Sequence, residues 1–190
     1  MSRVIALVSG AEAREFDTDL PYLSRALGDR GIITEIVDWD NASTAWSRYS
    51  MAIVRSPWDY QRRYPEFLAW LDSVSTATTL QNSADIIRWN TNKEYLTELV
   101  EAQIGVIPTT FVRSAEDLVT ITNEGMLERD IVVKPTISAG SNNTERHEES
   151  PVKAAAHLGF LLDAGFVAMV QPYQRFIDER GETGMLYFNG

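Results

Sequence analysis

The sequence predicts an α/β protein built from two consecutive units, of which the first has a parallel sheet. Short apolar runs alternate with amphipathic stretches over residues 4–74, which favours parallel strands covered by helices. Of the 190 residues, 44% are hydrophobic and 23% are charged, so the chain can bury a sizeable core. Residues 78–83 are expected to form the last short strand and turn of the first unit, which places a domain boundary between residues 83 and 84.

Each element of the first unit is predicted from an apolar run and the turn residues that follow it. Gly28 and Gly31 flank the end of the first helix, where glycine commonly terminates a helix. The predicted strands and helices are, in order, strand 4–8, helix 22–30, strand 33–37, strand 51–54 and helix 66–74.

The second unit is predicted to mix helices and strands. Asn90 or Thr91 is expected to cap a helix that carries Lys93 in its first turn. The other predicted elements are a helix from Asp85, strand 109–112, helix 115–123, strand 131–133, helix 152–163, strand 168–171 and strand 185–188.

Charge and composition exclude several kinds of partner and site. The 27 acidic and 17 basic residues give a net charge of −10, which argues against a nucleic-acid partner because such a partner needs a basic face. The sequence has no cysteine, which excludes disulfides, thiolate metal sites and cysteine nucleophiles. The apolar run at residues 4–8 is too short for a signal peptide, so we expect a cytoplasmic protein without a membrane partner.

The most informative segment is a strand that carries a lysine at its end and leads into a loop of small residues. The apolar run 131–133 predicts a strand covered on both faces, and Pro135 predicts where it stops. Lys134 is therefore expected at the mouth of the strand. Residues 136–144 are mostly Ser, Gly, Asn and Thr, whose backbone N–H groups and hydroxyls suit a polyphosphate. The alternative interpretation is an ordinary surface loop beside a solvated lysine.

Several motifs together resemble the ATP-grasp superfamily, and within it the glutathione-synthetase-like branch, which includes cyclo-ligases. The resemblance runs through most of the chain. The motifs that carry it are RSPWDY at residues 55–60, LQNS at 80–83, RWN at 88–90 with Lys93, Lys134 with its loop, Gln171-Pro172, and Gly181-Glu182.

The resemblance implies a fold of two parts. Residues 1–83 would form a small parallel-sheet pre-ATP-grasp domain of Rossmann-like type, and residues 84–190 the N-terminal portion of an ATP-grasp nucleotide-binding domain. The sequence stops just after a predicted strand that lacks a hairpin partner, so we expect the chain to be truncated at its C-terminus. The 190-residue chain alone is then expected to be inactive.

The resemblance also implies an activity. The protein would be an ATP-dependent ligase that activates a carboxylate or carbonyl oxygen by phosphoryl transfer and joins it to an amine nitrogen, between two molecules or by ring closure. Its implied cofactors are ATP and Mg²⁺, with the magnesium ligands in the missing part. Its implied partners are small-molecule carboxylates and amines, and a homo-oligomer is compatible with the sequence.

The same resemblance assigns residues to the nucleotide. Lys93 and Lys134 would contact the phosphates, and Glu182 would bind the ribose hydroxyls. Gln171 and Tyr173 would lie at the hinge where backbone groups bind the adenine edge, although Gln171 is equally well explained as a strand-end residue. The residues implied to form a mobile flap are Ser138, Gly140, Ser141 and Thr144.

Arg55, Trp58 and Asp59 are the substrate candidates of the first unit. An arginine at a strand mouth can pair in bidentate fashion with a carboxylate. The alternative interpretation is an Arg55–Asp59 pair that braces a loop under Trp58.

No metal ligands are predicted within the sequence. His147 and His157 lack metal-site spacing to cysteines or carboxylates, and His157 is expected to be structural. Glu145, Glu148 and Glu149 are expected to form a solvated run.

Two other functions remain open from the sequence. The chain can be a nucleotide-binding or interaction module without catalysis of its own. It can also be a phosphate-binding or sugar-nucleotide-binding α/β protein unrelated to ATP-grasp enzymes.

Overall fold

The computed structural model describes residues 4–185, which divide into two compact units. The first unit comprises the described residues up to Tyr95 together with Ile137–Asn142, and the second comprises Leu96–Thr136 and the described residues from Asn143 onward. The first unit thus extends past residue 83, and the predicted domain boundary there stays a prediction. None of the helices within residues 4–185 is both long and apolar enough to cross a membrane.

The first unit contains a four-stranded sheet in the order β2-β1-β3-β4, in which all neighbouring strands are parallel. The predicted parallel sheet is therefore confirmed. The elements of this unit are β1 (Val4–Ser9), α1 (Leu20–Gly28), β2 (Ile33–Asp38), β3 (Met51–Ser56), α2 (Tyr64–Ala77), β4 (Leu80–Gln81) and α3 (Ala84–Thr91).

The central strand β1 is covered on both faces. Its residues 6–9 are all buried, although successive side chains of a strand point to opposite faces. Ala6 and Val8 pack in one core with Phe67 and Leu71 of α2. Burial on both faces is the environment expected for a parallel sheet. The parallel pairing of β1 with β3 makes the carboxyl ends of the two strands neighbours.

The carboxyl ends of β1 and β3 meet directly. The hydroxyls of Ser9 and Ser56 lie 3.0 Å apart, and the Gly10 N–H donates to the Ser56 carbonyl at 3.1 Å. Open α/β sheets bind ligands at this edge. The loops that follow Ser9 and Ser56 therefore begin at this edge of the sheet.

The predicted cap at Asn90 or Thr91 is wrong. Ser83 caps α3 instead, because its extended backbone lets its hydroxyl accept from the Ile86 N–H. Asn90 and Thr91 both lie in the last turn of that helix. Lys93 follows in a 3₁₀ turn, Lys93–Tyr95. This turn leads directly into the helix Leu96–Glu101, so Lys93 lies at the N-terminal end of a helical segment.

The second unit contains a four-stranded sheet in the order β5-β8-β6-β7, in which all neighbours are antiparallel. The predicted strand 185–188 is not seen at Met185, and residues 186–190 lie outside the described part of the chain. The elements are α4 (Leu96–Glu101), β5 (Thr110–Val112), α5 (Ala115–Asn123), β6 (Ile131–Pro135), β7 (Glu145–His147), α6 (Pro151–Asp163), β8 (Ala168–Pro172) and α7 (Phe176–Arg180).

The burial of strand β6 differs from its prediction. Ile131 and Val133 are buried whereas Val132 and Lys134 are only half-buried, so one face is covered more than the other. The strand ends at Pro135, as predicted, and Pro135 itself still pairs with Ala168 of β8. A proline removes one ladder donor but keeps its carbonyl, so it can occupy the last position of a strand.

Candidate functional site

Lys134 is a partly desolvated cation on a rigid strand. It lies in β6 opposite Met169 of β8, and its side chain is half-buried. Burial lowers the pKa of Lys134, and the Glu182 carboxylate partly offsets that effect. A desolvated ammonium gains more from an anionic ligand than a solvated one does. The setting therefore suits phosphate binding.

The loop Ile137–Asn142 is held by one side chain of the first unit. Gln61 Oε1 accepts from the Ala139 N–H and from Asn142 Nδ2, each at 3.3 Å, and Gln61 Nε2 donates to the Ala139 carbonyl at 3.4 Å. Gly140 and Ser141 have φ angles of 60° and 58°, which glycine adopts without strain and serine does not. The loop therefore has a defined conformation anchored at both sides of its turn.

Lys93 and Ser138 come together in the first unit. Lys93 Nζ donates to the Ser138 carbonyl at 3.0 Å and lies 3.4 Å from its hydroxyl. The Tyr60 hydroxyl donates to the same carbonyl at 3.4 Å, and burial raises the pKa of Tyr60, so the phenol keeps its proton at neutral pH. Two residues assigned separately to nucleotide binding thus contact each other.

The first unit also contains a cavity of about 510 Å³. It combines exposed aromatic side chains, Phe16 and Trp58, with a polar rim on which Arg62 donates to Glu12 at 2.8 Å. Such a mixture suits a small polar molecule with some apolar surface. The residues that line it are Glu12, Ala13, Phe16, Trp58, Asp59, Gln61, Arg62, Ala139, Gly140 and Asn142.

Asp59 is fixed in this cavity by two neighbours. Its Oδ1 accepts from Nε1 of the buried Trp39 at 3.0 Å. The same oxygen would lie only 2.4 Å from a Cβ atom at Gly10. Glycine at position 10 therefore leaves the space that the Asp59 carboxylate occupies.

Replacing Gly10 by alanine is expected to lower the free energy of unfolding by about 1 to 3 kcal/mol, the usual cost of leaving a buried donor unpaired. The added methyl group displaces the Asp59 carboxylate, and the Trp39 N–H loses its acceptor. Urea denaturation measures the change. The matched control is Gly28→Ala, where nothing lies within 4 Å of the added carbon; equal losses in the two variants would contradict this account.

Arg55 is engaged by carboxylates of the protein itself. Its Nη2 donates to Asp17 at 3.0 Å and to Asp19 at 3.1 Å. The predicted Arg55–Asp59 brace is therefore wrong. The loop after β1 brings Asp17 to the mouth of β3 from 38 residues away in sequence, and no local pattern reveals such a contact.

The predicted adenine residues have partners within the second unit. Gln171 is buried, and its Nε2 donates to the Thr109 hydroxyl at 2.7 Å, which favours the interpretation of its side chain as a strand-end residue. The Tyr173 hydroxyl donates to Asp178, and the Arg146 guanidinium lies 3.6 Å from the centre of the Tyr173 ring. The Asp178 carboxylate raises the pKa of Tyr173.

The remaining predicted residues lie at the ends of elements. Thr144 is half-buried immediately before β7, and Glu182 is exposed after α7. Glu182 acts electrostatically on Lys134, as noted above. Their assignments to the flap and to ribose stay predictions.

The fold brings His147 and His157 together although their spacing did not predict it. His147 Nε2 and His157 Nδ1 lie 3.2 Å apart, and Glu145 Oε2 lies 3.9 Å from each of them. Glu148, by contrast, pairs with Arg146 at 2.6 Å. Glu145, Glu148 and Glu149 are all exposed, as expected for a solvated run.

Sequence reasoning missed Gln61, Phe16 and Asp17. Gln61 anchors the loop, Phe16 lines the cavity and Asp17 holds Arg55. Gln61 directly follows the RSPWDY motif, so extending that motif by one residue was the available signal. The positions of Phe16 and Asp17 depend on how the loop after β1 folds.

Comparisons with known proteins identify similar chains. A family model described as the N-terminal domain of D-cycloserine synthetase DcsG matches residues 5–82. The cycloserine biosynthesis protein DcsG of Streptomyces lavendulae is 34% identical over 192 residues, which cover 98% of this chain and 64% of that protein. This chain therefore spans somewhat less than two thirds of the length of that relative.

Solved structures agree with this similarity. The crystal structure of D-cycloserine synthetase DcsG matches with a TM-score of 0.85 and 33% identity, over 94% of this chain and 62% of that one. An ATP-grasp RimK domain protein from Sphaerobacter thermophilus matches with a TM-score of 0.64 and 18% identity, over 91% of this chain and 64% of that one. The chain therefore has an ATP-grasp fold, as the sequence motifs predicted, and resembles D-cycloserine synthetase DcsG over nearly its whole length.

Proposed function

We propose that the chain is the nucleotide-binding part of an ATP-dependent ligase that forms a carbon–nitrogen bond. A substrate carboxylate or carbonyl oxygen attacks the γ-phosphorus of ATP, and ADP leaves. An amine nitrogen then attacks the activated carbon, the carbon–nitrogen bond forms and phosphate leaves. The chain's residues bind and orient the reactants and neutralise charge. The similarity to DcsG supports closure of a ring within one molecule as the form of this reaction.

The setting of Lys134 carries the proposal. A half-buried ammonium costs free energy in the absence of an anion, and a polyphosphate offsets that cost. Lys134 lies on a strand within a sheet, so its position does not depend on a loop. A solvated surface lysine, the alternative interpretation, would not have its pKa lowered by burial.

The nucleotide assignments extend to both compact units. In the second unit, Lys134 would contact phosphate, backbone groups near Gln171 and Tyr173 would bind adenine, and Glu182 would bind ribose. In the first unit, Lys93 would contact phosphate once its contact with Ser138 is exchanged for the ligand. The flap residues would be Ser138, Gly140 and Ser141 of the first unit and Thr144 of the second.

Magnesium would accompany ATP, but its ligands are not assigned within residues 4–185. Asp130, the carboxylate closest in sequence to β6, accepts both bonds of a bidentate Arg146 pair, which lowers the pKa of Asp130. Glu182 is assigned to ribose. A carboxylate that is already paired with an arginine does not fit a magnesium site.

The cavity of the first unit is the proposed substrate site. Trp58 and Asp59 line it, as expected for substrate residues, whereas Arg55 is held by Asp17 and Asp19. Arg62 on the rim pairs with an exposed carboxylate, Glu12, and can exchange it for a substrate carboxylate at little cost. We therefore propose Arg62 in place of Arg55 as the carboxylate-binding arginine.

The domain boundary at residues 83 and 84 is part of the proposal. The match of the DcsG N-terminal family model, which ends at residue 82, supports it.

The alternative function is a nucleotide-binding module without catalysis. It differs from a ligase only in that it does not turn over a substrate.

Calorimetric titration of ATP with Mg²⁺ into the chain tests the nucleotide site, and amine-dependent release of ADP by the full gene product tests the ligase. Saturable binding together with amine-dependent ADP release would support the proposal. Binding without such release would leave the non-catalytic module as the function. If neither the chain nor the full gene product binds ATP, the proposal fails.

A further inference from the structure

A compact group of three metal-binding side chains lies in the second unit, among residues to which the proposed ligase assigns no role. Glu145 and His147 are two residues apart on β7, so both project from the same face of that strand. His157 comes from the buried side of α6. Both imidazoles are largely buried, at 4% and 8% exposure, whereas the Glu145 side chain is 61% exposed.

The distances match those that one metal ion requires. A tetrahedral ion with bonds of about 2.0 to 2.1 Å to its ligands separates neighbouring ligand atoms by about 3.3 Å. His147 Nε2 and His157 Nδ1 lie 3.2 Å apart, and Glu145 Oε2 lies 3.9 Å from each. The carboxylate is the most exposed of the three groups, and a shift of its oxygen by roughly 0.7 Å completes the set.

We propose that Glu145, His147 and His157 form a binding site for a single divalent transition-metal ion of the zinc type. Two imidazoles and one carboxylate are a ligand set that zinc uses, and a fourth position then remains for water or another ligand. His147 also lines a cavity of about 380 Å³. The ion joins β7 to α6, which otherwise meet here through the histidine pair.

Binding changes the hydrogen bond between the two histidines. In the ion-free chain one of the facing nitrogens, His147 Nε2 or His157 Nδ1, donates a proton to the other. Both lone pairs must face the ion, so the donor ring takes its other tautomer and carries its proton on the far nitrogen. His157 is thereby predicted to bind through Nδ1 and His147 through Nε2.

The composition of the chain makes this site testable without ambiguity. The sequence contains two histidines and no cysteine, so any zinc bound through imidazole nitrogen must use His147 or His157. Lys153 lines the same cavity as His147 and opposes a cation there. Glu124, at the end of α5, is an acidic residue outside the group.

The experiment is a titration of Zn²⁺ into the untagged, chelator-treated chain, with ¹⁵N NMR of the two imidazole rings. We expect one ion per chain, with shifts at His147 Nε2 and His157 Nδ1. The affinity for Zn²⁺ should fall at least about tenfold in Glu145→Gln, since even residues that only support a metal ligand contribute that much. In the control Glu124→Gln, the affinity should stay within about twofold of the parent. Lys153→Gln should raise the affinity for Zn²⁺ about two- to fivefold at low salt.

Two outcomes would overturn the proposal. One is the absence of saturable zinc binding to the unmodified chain, which needs no folded variant to interpret. The other is binding that leaves both imidazole rings unchanged or survives in a His147→Gln/His157→Gln double variant whose circular dichroism matches that of the parent. The gain expected from Lys153→Gln cannot arise from misfolding. Because these readouts involve no nucleotide, the result is independent of the proposed ligase.

Discussion

Replacing Lys134 by methionine is expected to weaken ATP binding by about 10- to 100-fold, because the hydrogen bond from an ammonium to phosphate is worth about 1.5 to 3 kcal/mol. Methionine keeps much of the aliphatic volume of the side chain on β6 and removes only the charge. Calorimetry with ATP and Mg²⁺ gives the dissociation constants. The matched control is Lys153→Met on α6, which is exposed and is expected to leave ATP affinity within about twofold.

The stability of Lys134→Met separates loss of binding from loss of fold. The pKa of Lys134 is lowered on folding, so its ammonium destabilises the folded state at neutral pH; this cost declines as the pH rises above the folded pKa and is gone above the unfolded pKa. The variant should therefore be at least as stable as the parent at neutral pH in urea denaturation. Wild-type ATP affinity in a folded Lys134→Met variant would contradict the phosphate role.

Replacing Arg55 by methionine is expected to lower the free energy of unfolding by about 3 kcal/mol, because it leaves a buried carboxylate without its cation. The Asp17 side chain is 1% exposed, and its Oδ2 has no hydrogen-bond partner within the part of the chain that the structure describes. Arg55 is therefore the group that compensates the Asp17 charge. Urea denaturation at neutral pH measures the loss.

Two further variants test this explanation. Adding Asp17→Asn to Arg55→Met should restore part of the lost stability, since it removes the uncompensated charge. Arg62→Met breaks the Arg62–Glu12 pair, whose side chains are 60% and 71% exposed. It should lower the free energy of unfolding by about 1 kcal/mol or less. If Arg55→Met were as mild as Arg62→Met, the structural role of Arg55 would be refuted and its role as a substrate ligand would need to be reconsidered.

The parts of the fold that depend on local pattern were predictable. The strands of the first sheet were found from their apolar runs, and α5 was predicted with its observed bounds. In the structure, Ser114 and Asp117 form a capping box at the start of α5, so its beginning is fixed by local residues. The strand β7 and the helix α7 have three and five residues and are too short to show a period. The two-sided burial predicted for β6 failed because its sheet is antiparallel.

The candidate site was predictable to a smaller extent. Lys134 and Trp58 could be selected because a strand end and a motif mark them. The partners of Arg55, the anchoring of the loop by Gln61 and the approach of His157 to His147 all join distant parts of the sequence. Such contacts depend on the tertiary structure, and residue spacing does not encode them.

Amide hydrogen exchange of the chain, with and without saturating ATP and Mg²⁺, tests the central claim most directly. ATP bound as proposed should slow exchange in peptides that cover residues 134–144 and 171–173, because the phosphates and the adenine edge bind backbone groups there. Exchange that stays unchanged in both segments, or slowing confined to other parts of the chain, would contradict an ATP site built around Lys134.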